Sequence, residues 1–192
     1  MNIFFLSLNV VLCANAYYNT HVIKIILEIA QMLSTAIRVL GNDEIIKDLP
    51  CYRLAHLNHP MTKWIRESRG NYAWAIDLAR ALHDEWLYRF EHPATRRHKS
   101  LAIIDTATHL IDILAFPATE FMPPPMCMPP AFKSVILPPS DLPEYIQRYR
   151  YLYTHPDGKL PLALRSRRQP PSWELTPVPN DSSTITDIPI SL

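Results

Sequence analysis

Glycine is scarce: three residues in a chain of 192. That leaves no glycine-rich loop of the kind that cradles a nucleotide's phosphates. Cysteine is scarce too. Cys13, Cys51 and Cys127 have neither the spacing of a zinc ribbon nor that of a disulfide framework, which points to a reducing, cytoplasmic setting. There is no HExxH, no CxxC and no nucleophile elbow, so zincin and serine-triad chemistry have no anchor. His21, His59 and His98 fall in three different segments. Lone histidines are usually hydrogen-bonded structural residues, so neither a metal nor another cofactor is expected. The formal net charge is +1, which excludes a generally basic nucleic-acid wrapper. Any contact with phosphates must come from local clusters such as Arg96, Arg97, His98 and Lys99, or Arg165, Arg167 and Arg168. No run of 18 uninterrupted apolar residues exists, so no membrane span is expected.

What is present is proline, 19 residues of it, and a hydrophobic fraction of 48%. The length suits one domain plus a tail. The chain opens MNIFFLSLNVVLCANA, which superficially resembles a signal peptide but lacks a basic start and is interrupted by Ser7 and Asn9. The preferred reading is a short buried strand from Ile3 to Leu6, then a helix starting near Asn9.

The stretch from His21 to Leu40 predicts a helix that is apolar almost all round. His21, Lys24, Glu28, Gln31, Thr35 and Arg38 fall on one narrow arc of it. Such a stripe lines an internal cleft or forms a thin solvated face. From Pro60 to Phe90 a second long helix is predicted, with Glu67, Asn71, Trp74, Leu78, Glu85 and Arg89 on one face. Gly70 would weaken or bend it near its start. The two stripes either pack across one polar pocket or consist of ordinary i,i+4 surface pairs. A third helix is expected from about Ser100, as cap, to Leu114, carrying Asp105, His109 and Asp112 as a solvated stripe. After Phe116 the sequence FPATEFMPPPMCMPPAFKSVILPPS excludes regular structure and predicts an ordered wrapping loop. A last helix is predicted over about Leu142 to Tyr153. The fold expected is mainly α: a helical catalytic or binding domain over residues 1–165, and a proline-rich flexible tail over 166–192.

The blocks THVIKIILEIAQMLSTA, NHPMTKWIRESRGNYAWAIDLARALHDEWLYR and HKS resemble the pyrimidine-dimer DNA glycosylase-like family of phages and bacteria. More distantly they resemble the phage endonuclease V type. Lys24, Glu28 and Gln31 match the first block. Asn58, His59, Pro60, Trp64, Arg66, Asn71, Glu85 and Trp86 match the second. His98, Lys99 and Met128-Pro129 match weaker later elements, and the likeness spans roughly residues 1 to 155. It implies a DNA glycosylase or glycosylase/lyase, with Lys24, Glu28, His59 and Glu85 as catalytic candidates. The substrate-binding candidates are His21, Gln31, Trp64, Arg66, Asn71, His98 and Lys99. Trp64, Trp74 or Trp86 would stack on an extruded base, and Arg66 and Lys99 would hold phosphates. The phage-type enzymes attack with the amine of a small N-terminal residue exposed by Met removal. Asn2 disfavours that removal, which leaves the Met1 amine or a Lys24 of lowered pKa as nucleophile. A different nucleotide-binding or DNA-modification enzyme on the same scaffold, and a non-catalytic protein-interaction module, remain the alternatives.

Overall fold

A computed structural model describes residues 2–158 and 164–174. Among the described residues the architecture is helical, with no strand and one isolated bridge, Ser68 to Ala118. No helix is long and apolar enough to cross a membrane. The chain belongs to the mainly α class that its periodicity predicts.

The centre is α2, Asn19–Leu40. Val22, Ile25, Ile26, Ile29, Met32, Leu33 and Ile37 are buried on it, and it packs against α4 (Pro60–Glu67), α5 (Arg69–Arg89) and α6 (Leu101–Leu110). Short α1, Val10–Ala16, lies on α5. Its start is fixed by Asn9, whose side chain accepts from the N–H groups of Val11 and Leu12. The remaining helices are short α3 (Asp43–Ile46) and α7 (Pro130–Ser134), and α8 (Glu144–Thr154).

The helix predicted over Pro60 to Phe90 is two helices. Ser68 is extended (φ −151°, ψ 146°), and its hydroxyl caps α5 by accepting from Gly70 and Asn71 N–H. The same hydroxyl donates to the carbonyl of Glu120. Gly70 does not act by bending the helix. A Cβ there would stand 2.5 Å from the backbone nitrogen of Phe121, so glycine is what lets the proline-rich loop lie on the α4–α5 joint. That loop is ordered as expected, but it is not wholly irregular: Pro130–Ser134 forms α7, with proline in its first turn where a missing N–H costs nothing. Its backbone is taken up by Arg69 N–H to Ala118, Gly70 N–H to Thr119, and the Trp64 indole N–H to Met122. α6 stops at Leu110, four residues before the expected Leu114, and the chain continues in turns. Ser100 makes no side-chain cap there, because its own backbone is already helical.

The N-terminal segment is buried, as expected for Ile3 to Leu6, but it is not a strand. Ile3, Phe5 and Leu6 are fully enclosed and Phe4 nearly so. Buried backbone polar groups must find partners, and here side chains supply them. The Tyr17 hydroxyl both accepts from Phe4 N–H and donates to Phe4 C=O, at 2.9 Å each. The Arg150 Nε donates to Leu6 C=O at 2.8 Å and the Trp74 indole to Leu8 C=O at 3.1 Å.

The stretch expected to be tail begins as a docked strap. Arg165 is buried, donates from Nε to Ala16 C=O and pairs with Glu174 at 2.6 Å. Trp173 stacks under the Arg150 guanidinium at 4.8 Å. The rest of the expected tail, from position 175, lies outside the described residues.

Candidate functional site

The polar stripe of α2 divides into three parts by what each side chain meets. At the N-terminal end His21 is buried. Tyr153 OH accepts from Tyr18 N–H and shares a 2.7 Å hydrogen bond with His21 Nδ1. The imidazole stacks on Phe4 at 4.7 Å. Burial, helped by nearby Lys24, lowers its pKa to about 4. A neutral ring bonded in this way holds α8 to α2. At the C-terminal end Thr35 exchanges hydrogen bonds with both backbone groups of Ala55, and Arg38 Nε donates to Tyr52 C=O at 2.8 Å. These two residues pin the loop that precedes α4.

The middle of the stripe is the candidate site. Glu28 is buried, and one carboxylate oxygen accepts the backbone N–H of Asn2 at 2.7 Å. Its other oxygen lies 3.5 Å from Lys24 Nζ. Lys24 itself is 68% exposed, so the apolar wall expected around it is absent. Gln31 follows on the same face, half-buried. His59 caps α4: its Nδ1 accepts from Met61 N–H at 3.2 Å, which leaves the proton of the neutral ring on Nε2. Burial lowers its pKa and neighbouring His56 adds to this, against the pull of Glu28. A carboxylate, an exposed amine and the Asn2 nitrogen therefore adjoin one another, and the neutral His59 imidazole lies within electrostatic reach of the carboxylate.

Glu85 belongs to a different cluster. Its carboxylate binds Arg89 Nε at 2.6 Å and the guanidinium of Arg168. Asn15, with its amide nitrogen turned toward the carboxylate, adds a third donor at 2.7 Å. Arg89, fully buried, also donates to the carbonyls of Tyr17, Ala14 and Asn15 at the end of α1, and burial lowers its pKa. This cluster reaches α2 at Asn19. Asn19 and Glu28 are separated by about 13 Å of helix rise. Glu28 and Glu85 thus sit in two separate polar clusters.

The remaining sequence candidates are largely engaged within the fold. Asn71 donates to Trp64 C=O at 2.8 Å and accepts Met122 N–H at 2.7 Å, which ties the proline-rich loop to α4. Trp64 is 2% exposed and edge-on to Phe5, Trp74 and Phe121. It presents no free face for an extruded base, and Trp74, half-buried, has one face on Phe5 at 4.4 Å. Trp86 is buried beside His83, His92 and His98 under Arg96. Arg66 donates to Leu57 C=O at 2.8 Å. His98 accepts Ser100 N–H through Nδ1 and is pushed to lower pKa by burial. Arg97 is held by Asp105, whereas Arg96 and Lys99 are exposed.

One residue of the site carried little signal in the sequence: Asn2 registered only through Met processing. Periodicity does not mark a polar residue that leads a buried extended segment. A cleft of about 720 Å³ opens elsewhere, between α1, Arg150 and the strap, and its cations are engaged: Arg168 with Glu85, Arg150 with Leu6 and Trp173. Among the described residues no group of three His, Cys, Asp or Glu side chains is placed to hold a metal. A scan of protein-family models and searches of curated proteins and of solved structures returned no match.

Proposed function

We propose that the protein is a nucleobase-processing enzyme acting on DNA, a glycosylase whose catalytic carboxylate is Glu28. The observation that carries this reading is the Glu28 carboxylate itself: buried, bonded to the Asn2 nitrogen, and within ion-pair distance of Lys24.

Base excision breaks the C1′–N bond. The bonding pair leaves with the base, and positive charge grows at C1′ and the ring oxygen. A fixed carboxylate in a water-poor setting stabilises that charge. If a neutral amine attacks C1′, a new C–N bond forms. The amine's surplus proton passes to Glu28 and from there to the departing base. His59 contributes a hydrogen bond from Nε2–H to that base as it leaves. Two nitrogens flank the carboxylate: Lys24 Nζ is already a primary amine, and the Asn2 nitrogen becomes one if the residue before it is removed. The Met1 amine lies outside the described residues. Exposed Arg96 and Lys99 supply contacts to phosphates.

The test uses full-length protein with a duplex carrying a pyrimidine dimer and a second duplex carrying an abasic site, each with borohydride. The expected results are base release from the first and a covalent protein–DNA adduct from the second, with mass spectrometry of the adduct naming the nitrogen. Glu28→Gln keeps the acceptor for Asn2 N–H and should slow turnover by on the order of 10²-fold at an unchanged melting temperature. Absence of both base release and adduct sinks the proposal, and tight binding of a free nucleotide in its place would favour a nucleotide-binding enzyme.

A further inference from the structure

Asn2 makes more contacts than a residue at a chain end needs. Its carboxamide nitrogen donates to Cys127 C=O at 2.8 Å. Its carboxamide oxygen accepts Ile3 N–H at 2.9 Å. The Tyr149 hydroxyl accepts Cys127 N–H, and its one proton is shared between Pro125 C=O at 3.0 Å and the Asn2 carboxamide oxygen at 3.3 Å. The Cys127 residue is therefore bracketed, its carbonyl by Asn2 and its N–H by Tyr149. Tyr149 is fully enclosed on α8, and Glu28 is fixed on α2. Three distant parts of the chain meet at one small side chain, whose backbone nitrogen points to the catalytic carboxylate.

Resting on the glycosylase reading, we propose that the Asn2 carboxamide and the Tyr149 hydroxyl are positioning residues: a clamp that holds the backbone nitrogen of Asn2 against Glu28. Reactive geometry tolerates little error, with a displacement of about 1 Å costing up to 10² in rate. Asparagine fits the clamp because it offers a donor to one neighbour and an acceptor to the others. A smaller residue at position 2 would leave Cys127 C=O without this donor, and aspartate would set a second oxygen against it.

The experiment compares full-length wild type, Asn2→Asp and Tyr149→Phe. It measures melting temperature, Kd for an abasic-site duplex, and the rate constant and amplitude of borohydride-trapped adduct in single turnover. Ile3 amide exchange by NMR reports the clamp without reference to activity. We expect Kd within about twofold of wild type, faster Ile3 exchange, and a rate constant lowered on the order of tenfold to a hundredfold at undiminished amplitude. A merely structural role would lower the melting temperature and the amplitude and leave the rate constant alone. Wild-type rate constants in folded Asn2→Asp overturn the clamp and leave the glycosylase reading standing. If Tyr149→Phe does not fold, Asn2→Asp decides alone. If wild type itself yields no adduct, the glycosylase reading fails and the positioning role falls with it.

Discussion

Glu85→Gln separates the two acidic clusters. The substitution keeps the size of the side chain and removes its charge, so the cost falls on Arg89, whose side chain is fully buried. Stripping one partner from a buried ion pair costs about 3–5 kcal/mol, because it leaves an uncompensated charge. Arg89 keeps the carbonyls of Tyr17, Ala14 and Asn15, and a glutamine oxygen can still accept from it, which argues for the lower end, about 3 kcal/mol. Arg168 is 34% exposed, so water screens its share of the loss. In a domain of this size each kcal/mol moves Tm by about 2–4 °C, so the shift should be about 6–12 °C downward. Thermal and urea unfolding followed by circular dichroism measure it. Turnover, assayed well below the lowered Tm, should stay at the wild-type rate. Arg89→Met should cost more than Glu85→Gln, since it also strips the end of α1 of its donors. A Glu85→Gln protein with wild-type stability and abolished turnover would refute the reasoning and return Glu85 to the catalytic set.

Further outcomes follow from the same side chains. The folded pKa of His21, about 4, lies below its ordinary 6.5, so the unfolded chain binds the extra proton between those values. Stability should therefore fall as pH drops from about 6.5 to about 4, and His21→Gln should flatten that part of a pH series of urea midpoints. Gly70→Ala gains about 1 kcal/mol of helix propensity but drives a Cβ to 2.5 Å from Phe121 N. A net loss of about 1–3 kcal/mol, with altered tryptophan fluorescence as the loop lifts from Trp64, is expected, and a stabilised variant would contradict the close approach. Arg96→Ala with Lys99→Ala should reduce the salt dependence of DNA binding by about 0.9 for each phosphate these two cations neutralise. Arg97→Ala should change it less, because Asp105 already holds that guanidinium; equal effects in a salt titration would count against this assignment.

Helix content was legible because burial periodicity is a local property. The ring of Val22, Ile25, Ile26, Ile29 and Leu33 around a polar stripe marked α2 as central before any contact was known. The break at Ser68 was hidden, because the apolar pattern continues across it and the cause is a loop arriving from residue 120. The buried state of Trp64 was equally out of reach, since spacing on a helix does not say whether an aromatic faces a ligand or Phe5. Glu28 and Glu85 read alike, each an acid with a base one turn along. They differ in what the chain brings to them: an exposed lysine and the N-terminal segment in one case, an enclosed arginine and the end of α1 in the other. The docking of the strap was masked by its polar, proline-rich composition, although Arg165 and Trp173 are its anchors.

The side-chain partners of the N-terminal segment also set an order in time. Residues 2 to 8 are synthesised before the side chains that their backbone groups bond, those of Tyr17, Trp74 and Arg150. Arg150 lies more than 140 positions later in the chain. Until α8 has been synthesised, Ile3, Phe4, Phe5 and Leu6 form an apolar string whose Leu6 carbonyl lacks its Arg150 partner, the kind of segment that chaperones hold. Long-range closure of this sort slows folding.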